Sequence, residues 1–482
     1  MELNPIVLSL KLKAASLEET IPYMAINTES DWDTIDSGHS ESGDYIIEES
    51  YDEDLPNTVL RRLIFLQNQN FIQTEVRLVM KKGNAGPKKA PKGKKKSAKK
   101  TTKSTGEEEF EFDYTYLDAH HCAALVSLAM LPEVVQAGHK VANPHTSSAP
   151  VSGAQGPSAL LVGLGGGALP MCLQRYLPNL HLYMCDLDSS LETVAKEHFG
   201  FKCNTRSTAF VADGIEAIEK VFHRLNNVSD GSTSPGAVPE TLLGAGQLDV
   251  LFIDADSKDT TLGISAPPAA FLTFRTLLQM HAILKPGGAV YFNVVARSKA
   301  QLAQVVAKLA TIFNVDTSCM HSRAYKVDGQ VDLKAIEAEV SAARAELNAS
   351  LSSASGTHTM ESASVSGSAR GKMYHIQASK ETMNEGLLII KGSASTAATS
   401  AVTSAAKGSR LSDCYDREAL LEFWLKVKHF NNCCCFVCFG YHLSGDAQLL
   451  HVHMYTRSHS SHFFFFIFLR FSQWAWVAIL SS

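Results

Sequence analysis

The sequence predicts an α/β fold: a doubly wound, mostly parallel seven-stranded sheet preceded by a small β-hairpin domain. Three observations carry that reading. Apolar runs of strand length recur at 159–162, 180–185, 208–212, 248–254 and 289–295. Helix-like segments at 167–177, 189–198, 214–225, 268–284 and 298–313 alternate with them, and such alternation means right-handed crossovers between parallel strands. The first strand runs into a glycine turn, LLVGLGGGALPMCL at 160–173. Gly163, Gly165 and Gly167 let the backbone turn tightly and approach a ligand closely.

Upstream of that unit, residues 1–56 read as an acidic connecting region with one or two strands. Between Glu29 and Asp54 stand eleven acids and no Lys or Arg. RRLIFLQNQNFIQTEVRLVM (61–80) places two runs of strand formers around a polar break at 67–70, the pattern of a hairpin. The tract from Lys81 to Lys103 holds eleven lysines and no acids, too little apolar surface to order itself. It reads as a disordered, solvated loop (81–105) within a β-hairpin domain of 57–142. A nucleic-acid or nuclear-import patch is the sharper alternative, but the lysines lack interleaved aromatics. EFEFDYTYLDAHHCAALVSLAML (109–131) is a strand leading into an apolar helix.

The doubly wound domain is expected over 143–328 and 373–391. A final antiparallel pair is expected from 315–327 with GLLIIK at 386–391, around an Ala-, Ser- and Glu-rich, partly helical insertion at 329–372. Residues 392–482 read as a Ser/Ala/Thr linker and an aberrant or disordered tail. Its run FFFFIFLRFSQWAWVAIL (463–480) approaches the length of a bilayer span but carries Arg470, Ser472 and Gln473 in its middle. No membrane partner is expected unless that run is an anchor. Ten scattered cysteines make no disulfide framework, and the N-terminus lacks the pattern of a secretory signal. A cytoplasmic protein is expected. Cys435 and Cys438 have metal-ligand spacing but no second pair, so no metal site is expected.

Nicotinamide dinucleotides, flavins and S-adenosylmethionine all use a strand–glycine–helix turn. Asp186, about twenty residues after the glycines, can accept ribose hydroxyls in any of these classes. VADG at 211–214 puts Asp213 and Gly214 where an adenine amino group needs an acceptor. LDVLFIDAD (248–256) ends the fourth strand in Asp254, beside the cofactor's reactive end, and ILKPGGAVYFNVV (283–295) carries Asn293 on the adjacent fifth strand.

This order of glycine turn, ribose acid, ADG, strand-four acid and LKPGG resembles the class I S-adenosylmethionine-dependent methyltransferases. The hairpin domain before the turn resembles spermidine synthase. RRLIFLQNQNFIQTEVRLV, YLDAHHCAAL, LVGLGGGALPMCL and FIDADSKDTTLGISAPPAAFL are similar to the C-terminal half of the methyltransferase-like enzymes that act on translation elongation factor 1-alpha. The resemblance covers about residues 45–391. It implies a class I methyltransferase fold, S-adenosyl-L-methionine as cofactor and a protein substrate, elongation factor 1-alpha. It also implies methylation of the N-terminal α-amine, since the upstream domain linked to lysine modification is not recognised in this chain. No specific nucleic acid is implied, and a homodimer is left open.

Within that reading the cofactor residues are Gly163, Gly165, Gly167, Asp186, Asp213, Gly214 and Asp254. Asp254 and Asn293 are the catalytic pair, each offering an oxygen to the amine so that its lone pair points at the methyl group. Tyr116 and His121, with His120, would line the entrance, and Asp256 and Asp259 would meet an incoming peptide's charge. The competing enzyme class is a polyamine aminopropyltransferase, which Lys258 in DADSKD disfavours by repelling a cationic substrate. A non-catalytic remnant is disfavoured by the intact turn and both strand-end acids.

Overall fold

The computed structural model describes residues 32–52, 55–68, 71–81, 110–139, 156–228, 238–259, 261–315, 331–355, 370–377, 384–392, 436–442, 450–455 and 474–478. The lysine tract beyond Lys81, the 392–410 linker beyond Gly392 and Cys435 lie outside these residues. So does the 463–480 run apart from its strand at 474–478. Among the described residues no single helix is long and apolar enough to cross a membrane.

A five-stranded antiparallel sheet comes first: β1 (Asp33–Ser40), β2 (Gly43–Tyr51), β3 (Thr58–Phe65), β4 (Ile72–Met80) and β5 (Phe110–Phe112), in that order. The expected hairpin is β3–β4. The acidic stretch supplies β1 and β2, the two strands expected within it. Its charge is matched across the ladder, where Glu48 lies opposite Arg62 and Glu49 opposite Arg61. Both pairs are closed by hydrogen bonds, Arg62 Nε donating to Glu48 Oε2 at 3.0 Å and Arg61 Nε to Glu49 Oε1 at 2.7 Å. Opposite charges directly across an antiparallel pair are stabilising.

Helices α1 (Ala119–Ser127) and α2 (Pro132–His139) lead to the second sheet. Its strands are β6 (Ser158–Val162), β7 (His181–Asp186), β8 (Ser207–Val211), β9 (Leu248–Ile253), the short β10 (Ile264–Ala266) and β11 (Leu284–Ala296). The intervening helices are α3 (Ala168–Tyr176), α4 (Leu191–His198), α5 (Gly214–Leu225), α6 (Glu240–Leu243) and α7 (Phe274–Ile283). Then follow α8 (Lys299–Ile312), α9 (Leu333–Ser355), β12 (Lys372–Gln377) and β13 (Asn384–Ile390). Every residue of β6 is buried, as befits a central parallel strand covered on both faces. The order β12-β13-β11-β9-β6-β7-β8 reverses at β6/β9, and β13 runs antiparallel to β11. This is the class I methyltransferase arrangement, and the strand ends at the reversal define the cleft.

One expectation is corrected. The strand 384–390 lies between β11 and β12, so its outer partner is β12, not 315–327; Met373 lies opposite Ile389 and His375 opposite Leu387, while residues 316–330 lie outside those described. The Ala/Ser-rich segment is partly helical, as expected: a 23-residue helix in it buries Ile336, Val340, Leu347 and Leu351 in the cluster holding α7 and α8. Spacings of four, seven and four residues put these four on one stripe. Beyond β12 the sheet continues through three strands of the tail, β14 (Phe436–His442), β15 (Leu450–Tyr455) and β16 (Trp474–Ala478), with β15 parallel to β12.

The stripe on α9 is testable. Leu351 is 1% exposed, so Leu351→Ala should cost about 2–5 kcal/mol by the cavity it leaves. Urea unfolding followed by circular dichroism checks this; an unchanged midpoint would make α9 an accessory rather than part of the core.

Candidate active site at the ends of β6, β9 and β11

The glycine turn sits where β6 meets β9. Gly163 has φ +99°, and a Cβ there would stand 2.3 Å from the Asp254 carbonyl oxygen, so only glycine allows the two strand ends to approach this closely. Asp254 N donates to Val162 O at 2.9 Å and closes the same junction. Gly165 and Gly167 also have positive φ, and Gly167 opens α3. From the antiparallel sheet, Thr74 Oγ1 accepts the Gly166 amide at 2.7 Å. The small domain is thereby fastened onto the turn.

Asp186 ends β7 and faces that turn. Its Oδ2 accepts the Leu164 amide at 2.8 Å and the Gly165 amide at 3.4 Å, and its Oδ1 accepts the Asp188 amide at 3.0 Å. Burial pushes its pKa up, against these bonds and the charge of Lys258. The carboxylate thus braces the turn while keeping lone pairs for a ribose. Asp213 is exposed and caps α5, accepting the Ile215 amide at 2.8 Å, and Gly214 is packed against Val162.

Asp254 is the centre of the site. Its Oδ1 accepts from Asn293 Nδ2 at 2.9 Å, and its Oδ2 meets His121 Nε2 at 3.1 Å. Asn293 Oδ1 accepts in turn from Asn384 Nδ2 at 3.1 Å. Asn293 thus holds Asp254 through its Nδ2, while its oxygen, expected to meet an amine, already accepts one bond from β13 and keeps one lone pair. His121 is 6% exposed, so it packs behind the entrance and does not line it.

Behind His121 stands Asp118, the N-cap of α1, whose Oδ1 accepts the His121 amide at 3.0 Å. Its Oδ2 lies 3.1 Å from His121 Nδ1, and its Oδ1 lies 2.8 Å from His120 Nδ1. Burial opposes the charge on all three groups of the Asp118–His121–Asp254 line, but mutual pairing wins. His121 is held up at about 10, chiefly by the charge and hydrogen bond of Asp118 and then by Asp254. Asp118 lies well below the usual carboxylate range because of His120 and His121. Asp254 is lowered by His121, by the charge of His120 and by the Asn293 amide. Both imidazoles face Asp118, and the trio reads as an ion-pair network.

The remaining residues are placed as follows. Lys258 Nζ bridges Asp256 Oδ1, at 2.9 Å, to Gln73 Oε1 and lies 4.8 Å over the Phe65 ring. Asp256 is thus already paired. Asp259 is exposed and accepts the Thr261 amide at 2.8 Å within its own loop. Tyr116 donates its hydroxyl to Glu75, whose pKa is pushed up by burial. Sequence reasoning missed Asp118, Thr74, Glu75 and Asn384. Asp118 carried a readable signal, a capping residue just before an apolar helix; the others depend on strand pairings far apart in sequence.

No protein-family model matches the chain. Its sequence is 31% identical over 334 residues to the eEF1A lysine and N-terminal methyltransferase of Danio rerio, covering 69% of this chain and 42% of that one. The human protein of the same name is 30% identical over 323 residues, covering 65% and 40%. These proteins are its homologues. The chain spans about two fifths of their length. Among solved structures, human methyltransferase-like protein 13 in complex with SAH is 20% identical, covering 64% of this chain and 91% of that one with a TM-score of 0.36.

The ion-pair network gives stability a definite pH dependence. A raised imidazole contributes fully below its unfolded value of 6.5 and loses its contribution as pH rises toward about 10. The lowered carboxylates contribute above their ordinary range and lose it on acidification. The stability difference between wild type and His121→Gln should be largest near pH 6 and shrink steadily toward pH 9.5, as read by urea unfolding across that range.

Proposed function

We propose that the chain is an S-adenosylmethionine-dependent protein N-methyltransferase acting on the N-terminal α-amine of translation elongation factor 1-alpha. The observation that carries this is the ionised, twice-anchored Asp254 beside the Gly163 turn, in a chain homologous to methyltransferases of that substrate. The residues present suit the cofactor. Gly163 leaves room for a close backbone approach, Asp186 keeps acceptor capacity for ribose hydroxyls, and Asp213 lies exposed where an adenine would reach.

The cofactor supplies an already activated methyl group. The chain's own residues must align an amine lone pair behind it and exclude water. Asp254 accepts an N–H of the amine and fixes the nitrogen's direction. Asn293 holds the carboxylate plane. A carboxylate paired with an imidazolium is a weak base, so the amine must arrive neutral. That favours an α-amine, with a pKa near 8, over a lysine near 10.4. The aminopropyltransferase alternative is weaker still beside a Lys258 that already neutralises Asp256.

Transfer of labelled methyl to peptides of the elongation factor's N-terminus tests the reading. The free-amine and lysine-substituted peptides should be methylated and the acetylated peptide should not. Activity on spermidine precursors with the decarboxylated cofactor would replace the reading with the aminopropyltransferase one.

Asp254→Ala should lower the single-turnover rate at least about a hundredfold, the scale of a 1 Å misplacement, while calorimetry shows cofactor still bound. Because Asn293 acts through Asp254, adding Asn293→Ala to that variant should cost little more, as for groups acting as a unit.

A further inference from the structure

We propose that Asp118 and His121 are a positioning pair: Asp118 holds the His121 imidazolium, and His121 fixes which face of the Asp254 carboxylate meets the substrate nitrogen. The proposal rests on the methyltransferase reading and extends it to residues that touch neither substrate nor cofactor.

A lone carboxylate can turn about its Cβ–Cγ bond and present either oxygen. Asp254 cannot turn freely, because each oxygen is held by a donor on a different element: Asn293 of β11 on Oδ1, and His121 of α1 on Oδ2. The lone pairs left over point in a fixed direction. His121 is itself held from behind. Asp118 accepts its backbone amide at 3.0 Å and sets its Oδ2 3.1 Å from Nδ1 as an ion pair without hydrogen-bond geometry, so one carboxylate caps the helix and places its charge beside the ring. With both ring nitrogens facing carboxylates, each calls for a proton. The imidazole is a donor on both sides only when charged.

Other groups surround the pair. On α1 the His120 ring lies 4.0 Å from the His121 ring, and Cys122 follows it. From the antiparallel sheet and its connection come Glu75 and Tyr116, hydrogen-bonded to each other. From β11 comes Tyr291, buried, whose hydroxyl reaches His120 O at 3.5 Å. From α3, also packed on α1, comes the buried Cys172. On β12 and β13, against which α1 packs as well, His375 pairs with Glu385. Asp118 and Asp254 are the two carboxylates in contact with the His121 ring among the described residues, so Asp118 decides whether His121 keeps its proton when Asp254 is engaged by an amine.

Asp118→Asn separates this role from a purely structural one. Asparagine caps a helix as well as aspartate does, so α1 should survive and the melting temperature should stay within a few degrees. Without the second anion His121 should titrate near an ordinary imidazole. In the wild type, histidine side-chain NMR should show His121 protonated to beyond pH 9; in Asp118→Asn its signals should titrate below pH 8. The pH profile of kcat/KM should gain an ionisation there that the wild type lacks. The value of kcat with an α-amine peptide should fall about tenfold or more, and cofactor affinity should stay within about twofold. His121→Gln, which keeps a side-chain N–H for Asp254, should retain more activity than His121→Ala.

An active wild type whose His121 titration and pH profile are unchanged by Asp118→Asn would overturn the proposal. So would equal loss in the glutamine and alanine variants of His121. Failure of the underlying reading looks different: the wild type itself would transfer no methyl group to any peptide amine. Should Asp118→Asn not fold, the two His121 variants and the wild-type titration decide.

Discussion

The carboxylate of Asp254 is the constraint around which the rest of the molecule is arranged. It is almost fully withdrawn from water at the end of a buried strand, and an isolated charge there would be expensive. The cost is offset by the imidazolium of His121 on one oxygen and the amide of Asn293 on the other. Those donors come from a helix that precedes the Gly163 turn and a strand that follows it. Removing His121 leaves an uncompensated charge, which costs more than the pair contributes in place. The backbone of the same residue is pinned at Gly163 and Val162, so the turn and the charge share one rigid point.

The antiparallel sheet belongs to this arrangement. Thr74 takes the Gly166 amide, and Ser42 donates to Asp188 at 2.9 Å, two residues beyond Asp186. Tyr114 reaches Gly200 O at 2.9 Å, and His198 meets Asp36 at 3.0 Å. These contacts lie along the glycine turn and the far end of α4. The small sheet therefore restrains both edges of the cleft, and Gln73 with Phe65 receives Lys258 from the loop after β9.

Much of this was legible in the residues, and the failures have physical causes. The alternation of strands with helices and the glycine turn are local patterns with strong periodicity, so five parallel strands lie within a few residues of where the sequence places them, although β11 begins earlier at Leu284. The final antiparallel pair was misassigned because an apolar run announces a strand without announcing its partner. The strands of the acidic stretch were expected, but not what balances their charge, since Arg61 and Arg62 answer it from the neighbouring strand. The α9 segment read as low complexity because Ala and Ser outnumber its four core residues. Asp254 could be placed from its strand end alone. The orientation of Asn293 could not, since Asn384, which fixes its oxygen, lies 91 residues away.

The charge balance of the site bears on the kind of chemistry it suits. Asp254, paired with His121 on one oxygen and with the Asn293 amide on the other, stands beside the turn as an acceptor rather than a strong base. Pairing with His121 lowers its basicity and keeps it an acceptor throughout. Under the proposed function, such a site relies on an amine that already carries its lone pair, and the burden of deprotonation falls on the substrate's own pKa. For an α-amine at neutral pH that burden is about a tenfold deficit, and for lysine it exceeds a thousandfold. A site that aligns without deprotonating therefore discriminates between the two nitrogens before any contact with the rest of the substrate is made.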